Sequence, residues 1–260
     1  MGNSCSTTWP LNHCLNAPRT SSQSEDQNSI LKTMSEPVIL PASDKHTATV
    51  IFLHGLGDFG GSWYDAFKAY QIVKALPYVK FIFPTAPVRK VTLNMGLAMT
   101  SWFDILGLDQ NVKEDEEGIE KSSIFLKELI ESEIINGISP DRIIIGGFSM
   151  GGAIALHAAL TYAHTLGGVV ALSSWLPLAS TFPDALVSGG KKVNLPILQC
   201  HGTEDPLVQL KWARLTEQAI KSMGFKQYAF REYHDMDHST CDREMKCVKS
   251  FIVQNLPRID

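Results

Sequence analysis

The sequence predicts an α/β protein: a mostly parallel central sheet with helices on both faces. Three observations lead there. Short apolar runs alternate with segments of helical period from about residue 37 to the C-terminus. The runs are apolar at consecutive rather than alternate positions, as expected of strands covered on both sides. A length of 260 residues also suits one sizeable core better than two.

In chain order, Ala48 to Leu53 (Ala-Thr-Val-Ile-Phe-Leu) predicts a buried strand running into a glycine-rich turn. Ser62 to Leu76 predicts a helix, and Val79 to Phe83 a second strand closed by Pro84. Asp115 to Ile135 has a helical period, with Ile119, Ile124, Phe125, Leu129 and Ile130 as core candidates. Arg142 to Gly146 is a third apolar run, and Ala153 to Thr161 an alanine-rich helix. Val169 to Leu172 and Leu195 to Cys200 are further strands. Leu210 to Met223 is read as a helix, Gln227 to Tyr233 as a strand, and Thr240 to Asn255 as the last helix. In such a sheet the chemistry gathers at the carboxyl ends of the strands.

Composition narrows the setting. Hydrophobic residues make up 44% and charged residues 19%, ordinary for a globular protein. A net charge of -4, with no basic stripe, gives no reason to expect a nucleic-acid partner. The five cysteines are odd in number and scattered, with neither a disulfide framework nor paired zinc-ligand spacing. Free thiols in a reducing, cytoplasmic setting are therefore expected, with Cys200 a small buried residue. The chain has no apolar window of the ~18 residues that a membrane-spanning helix needs. Its N-terminus lacks the apolar stretch of a signal peptide.

One motif carries chemistry. Gly147-Phe148-Ser149-Met150-Gly151 fits the G-x-S-x-G nucleophile elbow of the α/β-hydrolase type. Alone the pattern is weak. Here the strand Ile143-Ile144-Ile145 precedes it and the alanine-rich helix Gly152-Ala153-Ile154-Ala155-Leu156 follows. Gly146, Gly147, Gly151 and Gly152 supply the small residues that so tight a turn demands. Ser149 would then stand above the sheet near a helix N-terminus, which favours developing negative charge. The bland alternative is a glycine-rich strand-to-helix turn with a capping serine.

A serine hydroxyl at its ordinary pKa needs a base. In this fold the partners follow in the order Ser, then Asp or Glu, then His. Asp205 and Glu204 compete for the orienting acid just after the strand ending at Cys200, and Asp205 is preferred because Pro206 fixes a turn beside it. His238 is preferred as base over His234, which lies close to the end of its strand. The segment His234 to His238 could be read as a metal site, but it supplies no third ligand at a recognisable spacing. His157, His164 and His201 are read as structural. Oxyanion donors are expected from the backbone N–H of Met150 and of Leu56, in the loop His54-Gly55-Leu56-Gly57-Asp58. No metal or cofactor is called for.

The same loop also fits G-x-G-x-x-G as Gly55-Leu56-Gly57-Asp58-Phe59-Gly60, between a strand and a helix. A dinucleotide fold would want an acid at the end of the next strand, but Val79-Lys80-Phe81-Ile82-Phe83-Pro84 has none. A nucleotide-binding oxidoreductase and a non-catalytic binding protein remain the alternatives from other classes.

Taken together, these residues resemble the acyl-protein thioesterases of the phospholipase/carboxylesterase family. The matching stretches are Phe52 to Asp58, Pro84 to Arg89, Val91 to Met95, Ser101 to Ile105, Gly146 to Ser149, Leu172 to Pro177 and Gln199 to Gly202. Asp205 to Val208 and His238-Ser239 complete the set, so the likeness runs from about Pro37 to the C-terminus. The resemblance implies the triad Ser149, Asp205 and His238. It also implies S-palmitoylated proteins as substrates, with lysophospholipids and simple esters as lesser ones. Met150 stands where the family usually has Gln; a related branch thought to prefer short chains has Met there, which makes a short-chain carboxylesterase or lysophospholipase-like hydrolase the runner-up. The resemblance suggests an acyl chain seated among Leu93, Leu97, Trp102, Trp175, Leu176 and Leu207; ordinary core is the alternative for each.

Residues 1–36 read differently from residues 37–260. Arg19 to Ser29 is polar and aperiodic, and is expected to be a disordered tail. Met1-Gly2-Asn3-Ser4-Cys5-Ser6 fits the myristoylation pattern at Gly2, with Cys5 placed for palmitoylation. Two acyl chains would tie the protein peripherally to a membrane where one alone would not. An unmodified tail, or a start at Met34, is the alternative.

Overall fold

The structure is a computed structural model and describes residues 35–107, 112–187 and 192–259. Gly2, Cys5 and nearly all of the expected tail lie outside the described residues. Ser35–Asp260 forms one compact unit.

Nine strands are described: β1 (Val38–Leu40), β2 (Ala48–Leu53), β3 (Val79–Phe83), β4 (Val88–Val91), β5 (Leu97–Thr100), β6 (Ile143–Phe148), β7 (Gly168–Leu172), β8 (Ile197–Gly202) and β9 (Tyr228–Tyr233). The helices are α1 (Gly60–Ala69), α2 (Ile72–Ala75), α3 (Glu116–Ile135), α4 (Met150–Leu160), α5 (Leu210–Ser222) and α6 (Asp242–Asn255). Seven strands form one sheet in the order β1-β3-β2-β6-β7-β8-β9. Only β1 is antiparallel to its neighbour; the other pairs are parallel.

The strands β2, β6, β7 and β8 are buried along almost their whole length, as their continuous apolar runs require. Side chains alternate between the two faces. Val50 and Phe52 of β2, Leu198 and Cys200 of β8, and Ile144 of β6 share one cluster with Trp63 and Phe67 of α1 and with Met245, Val248 and Ile252 of α6. Helix α4 is buried at every position and packs on α3, β6 and β7. Glu133 of α3, itself buried, accepts from Thr49 Oγ1 at 2.7 Å and from Lys80 Nζ at 2.5 Å, which ties that helix to β2 and β3.

Three features depart from the sequence expectation. The single helix expected over Ser62 to Leu76 breaks at Gln71, whose φ of 56° lies in the left-handed region. Strand β1 escapes a pattern search because it has three residues and sits on an edge. The hairpin β4–β5 forms a separate two-stranded sheet with Met95 and Gly96 at positive φ in its turn. Among the described residues no helix is long and apolar enough to cross a membrane.

Candidate active site

The strand β6 delivers Ser149 to the carboxyl edge of the sheet, and α4 begins at the next residue. Ser149 has φ 53° and ψ -121°, a conformation that costs an ordinary residue of order 1–3 kcal/mol. Packing enforces it. A Cβ on Gly147 would lie 2.3 Å from the Gly151 carbonyl carbon, and one on Gly151 would lie 2.4 Å from the Leu53 carbonyl oxygen. Strand and helix therefore approach so closely at the bend that only hydrogen fits. The Ser149 N–H donates to the Leu172 carbonyl of β7 at 2.8 Å, and Ser174 Oγ donates to the Ser149 carbonyl at 2.8 Å. Ser174 was not singled out in the sequence; its only signal is its place just past the end of β7.

Two further loops converge here. Asp205 follows β8 and His238 follows β9, and the loops are stitched together by Thr203 N–H to the Tyr233 carbonyl at 3.0 Å and Glu204 N–H to the Met236 carbonyl at 3.1 Å. Gly202 must be glycine, since a Cβ there would stand 2.1 Å from the Met236 oxygen. His238 Nδ1 lies 2.7 Å from Asp205 Oδ2. Asp205 Oδ1 accepts the N–H groups of Leu207 and Val208, each at 2.9 Å. Asp205 is buried while Glu204 and His234 face solvent, so the geometry selects Asp205 and His238 from the competing pairs.

Burial by itself would raise the Asp205 carboxyl. The hydrogen bond and charge of His238, with the two backbone donors, outweigh it and hold the group below its ordinary value. An ionised Asp205 can only accept, so Nδ1 of His238 carries the proton and Nε2 is left as a base. The His238 ring packs against Phe148, the residue before Ser149, at 4.7 Å between centroids. His201 is the structural histidine expected: its Nε2 contacts the Val208 carbonyl at 2.7 Å and steadies the Asp205 turn.

The loop after β2 comes to the same place. A Cβ on Gly55 would lie 3.4 Å from Ser149 Cβ. His54 is wholly buried and its Nε2 accepts the Ala86 N–H at 2.9 Å. Its proton therefore sits on Nδ1, which donates to the Gly55 carbonyl at 2.6 Å. Burial keeps this ring neutral by lowering its pKa, against the opposing pull of the Gly55 carbonyl and the Asp58 charge. In a trans peptide the carbonyl and the following N–H point opposite ways, so His54 turns the Leu56 N–H away from itself. Among the described residues neither that N–H nor the Met150 N–H is paired with a protein acceptor. Sequence reading placed His54 in the loop but gave it no part. Its role depends on Ala86, thirty-two positions away, and so has no local signal.

Met150 is fully buried, and its sulfur accepts from the Trp102 N–H at 3.3 Å and Ser101 Oγ at 3.4 Å. The residues expected to seat an acyl chain divide. Leu97 and Leu207 are 60% and 57% exposed, Leu93 is also exposed, and Trp175 is half-buried. Trp102 is only 1% exposed, with Nε1 bonded to the His54 carbonyl at 2.9 Å, and Leu176 is buried as well. These two belong to the core beneath the site rather than to a surface that a chain could line, since Trp102 stacks on Phe125 and both side chains are almost wholly covered. The hairpin that carries Leu93 and Leu97 is tied to the loop after β2 by Gly57 N–H to the Thr100 carbonyl at 2.8 Å and by Thr100 Oγ1 to the Asp58 carbonyl at 2.6 Å.

A positive-φ serine between strand and helix, with a buried Asp bonded to a half-buried His and both brought in by the last two sheet strands, defines an α/β-hydrolase. The profile of the family described as Phospholipase/Carboxylesterase matches residues 34–256, and the chain belongs to that family of hydrolases. It is 41% identical over 226 residues to acyl-protein thioesterase 1 of Gibberella zeae, spanning 85% of this chain and 96% of that protein. It is 40% identical to acyl-protein thioesterase 1 of Neurospora crassa, over 86% of this chain and 93% of that one. Among solved structures, Zea mays acyl-protein thioesterase 2 superimposes with a TM-score of 0.76 at 32% identity, covering 85% of this chain and 99% of that one.

Proposed function

We propose that this hydrolase cleaves acyl thioesters on S-palmitoylated proteins, with Ser149 as nucleophile, His238 as general base and Asp205 orienting it. The observation that carries the reading is the 2.7 Å bond between His238 and Asp205, with the imidazole packed beside a serine held at positive φ. In this mechanism His238 Nε2 takes the Ser149 proton as Oγ attacks the thioester carbonyl. The N–H groups of Leu56 and Met150 bind the oxyanion. The imidazolium is stabilised by Asp205 and returns its proton to the departing thiolate. Water, activated by the same imidazole, then hydrolyses the acyl-enzyme.

The relatives named acyl-protein thioesterase support the substrate class. The exposed leucines Leu93, Leu97 and Leu207, with Trp175, are the surface proposed for the acyl chain. Lysophospholipids and simple esters are proposed as lesser substrates, since an ester carbonyl meets the same hole. The enzyme is proposed to act in the cytoplasm, held at membranes by acylation of Gly2 and Cys5; loss of myristate-analogue labelling in Gly2→Ala is expected, and labelling that persists would end that part of the reading.

The test is a fluorophosphonate probe followed by thioesters of graded acyl length. Labelling is expected in the native protein and not in Ser149→Ala, with kcat/KM rising towards long chains. Labelling that survives the substitution would remove the nucleophile. Best rates on two- to six-carbon esters would favour the short-chain carboxylesterase reading, to which the buried Met150 points.

A further inference from the structure

The two backbone donors proposed for the oxyanion sit on different loops, and one buried residue bonds to both loops. Trp102 lies two positions past the end of β5 and is 1% exposed. Its indole Nε1–H donates to the His54 carbonyl at 2.9 Å, in the loop that carries Leu56. Its backbone N–H donates to the Met150 sulfur at 3.3 Å, on the residue that supplies the other donor. Trp102 is too deeply covered to meet a substrate.

We propose that Trp102 is a positioning residue that fixes the distance between the two oxyanion donors, as a clamp with one end on the loop after β2 and the other on the first turn of α4. This role rests on the serine mechanism proposed above and assigns the setting of its oxyanion hole to a residue that makes no contact with the reacting atoms.

The clamp is braced from behind. The indole stacks on Phe125 of α3, with centroids 6.1 Å apart and planes at 26°, and packs beside the His54 ring at 5.2 Å. The Trp102 carbonyl accepts the Ser122 hydroxyl, also of α3. Both ends are thereby referred to one twenty-residue helix. The indole end grips the point where the two loops meet. A Cβ on Gly151 would lie 2.5 Å from the His54 carbonyl oxygen, so the elbow rests against the very atom that the indole holds. At the other end a thioether, ordinarily a weak acceptor, satisfies a buried N–H, and Ser101 Oγ lies 3.4 Å from the same sulfur.

Oxyanion donors act by being aimed before the charge develops. A displacement of about 1 Å can cost about 100-fold in rate. Neither end of the clamp touches the ground-state substrate, so its loss falls on kcat and not on KM. The two ends also act in series. Releasing either one frees the donors from each other, and releasing both costs little more, unlike the independent losses of separate sites.

The experiment uses the full-length protein, with rates expressed per active site counted by fluorophosphonate titration. Trp102→Phe removes the indole N–H and keeps an aromatic ring against Phe125. Met150→Leu removes the sulfur and keeps the backbone N–H at that position. Each is expected to lower kcat about 10- to 100-fold with KM within about twofold of the native value. Each should weaken binding of a long-chain trifluoromethyl ketone, which becomes an oxyanion on Ser149, by the same factor. The double variant should lie within about threefold of the slower single variant. Met150→Gln, which restores an acceptor, should recover most of the loss seen in Met150→Leu. Thermal melts check that each variant folds; if Trp102→Phe does not, the two Met150 variants give the answer alone. The proposal is overturned by kcat within about twofold of native in either folded single variant, by a change in KM alone, by losses that multiply in the double variant, or by a Met150→Gln as slow as Met150→Leu. Labelling that persists in Ser149→Ala would instead remove the serine mechanism itself, so the two failures are told apart.

Discussion

The bend at Ser149 and the hairpin β4–β5 both contact the loop after β2 and are constrained in opposite ways. At the bend, backbone presses on backbone, and a single added carbon at Gly147 or Gly151 has nowhere to go. On the hairpin, Met95 is 93% exposed, Leu97 points into open space, and a Cβ on Gly96 would meet nothing within 4 Å. The bend must hold a strained conformation to within tenths of an ångström, because the reaction depends on where one oxygen sits. In the proposed role of seating an acyl chain, the hairpin needs only apolar area, because such a chain is recognised by burial, not by direction. Under the proposed function, close packing marks where the chemistry is done, and exposed apolar surface marks where a chain is chosen.

That contrast can be broken at either end. The largest effect is expected at the bend: Ser149→Ala and Asp205→Asn should each lower kcat by about 10⁴-fold or more while leaving the fold intact, measured on a soluble thioester. Gly147→Ala should cost stability instead, by more than about 4 kcal/mol, read as failure to fold or a melting point lower by at least ~10 °C. If it folds normally, the close approach is not what fixes the serine.

His54→Ala tests the positioning of the Leu56 donor. It should lower kcat by about 10- to 100-fold with KM little changed, because the oxyanion exists only in the transition state. A change in KM alone would assign His54 to substrate binding. On the hairpin, Leu97→Asp should raise KM about five- to tenfold for long-chain thioesters and leave short esters untouched, with no change in melting point. Equal loss on both substrates would sink the division of labour between bend and hairpin.

The smallest effect concerns stability against pH. Asp205 is held below its ordinary value of 3.8, so its contribution is complete above that value and is lost as pH falls through the lower folded value. Thermal melts below about pH 4 should therefore fall less steeply in Asp205→Asn than in the native protein.

Much of the site was legible because its parts are short-range. The elbow declares itself through Gly147, Ser149 and Gly151 within five residues, and the chain order of acid and histidine follows the fold. The choice of Asp205 over Glu204 was open in the sequence and became clear only where burial separated the two. Helix α4 was expected to begin at Ala153 yet starts at Met150, since packing against the Leu53 and His54 carbonyls overrides the low helix propensity of Gly151 and Gly152. The break at Gln71 carries neither glycine nor proline, so no local signal announced it.

By itself the sequence determined the class of fold, the order along the chain of the buried strands β2, β3 and β6 to β9, and Ser149 as the candidate nucleophile, because continuous apolar runs and a glycine-framed serine leave few other ways to bury a backbone. Only the tertiary structure decided which imidazole meets which carboxylate, that Trp102 and Leu176 are core while Leu97 and Leu207 are surface, and that His54 bridges the Gly55 carbonyl and the Ala86 N–H. Each of those facts joins residues separated by tens of positions, and a side chain's neighbours across such a distance are set by packing and not by the residues beside it.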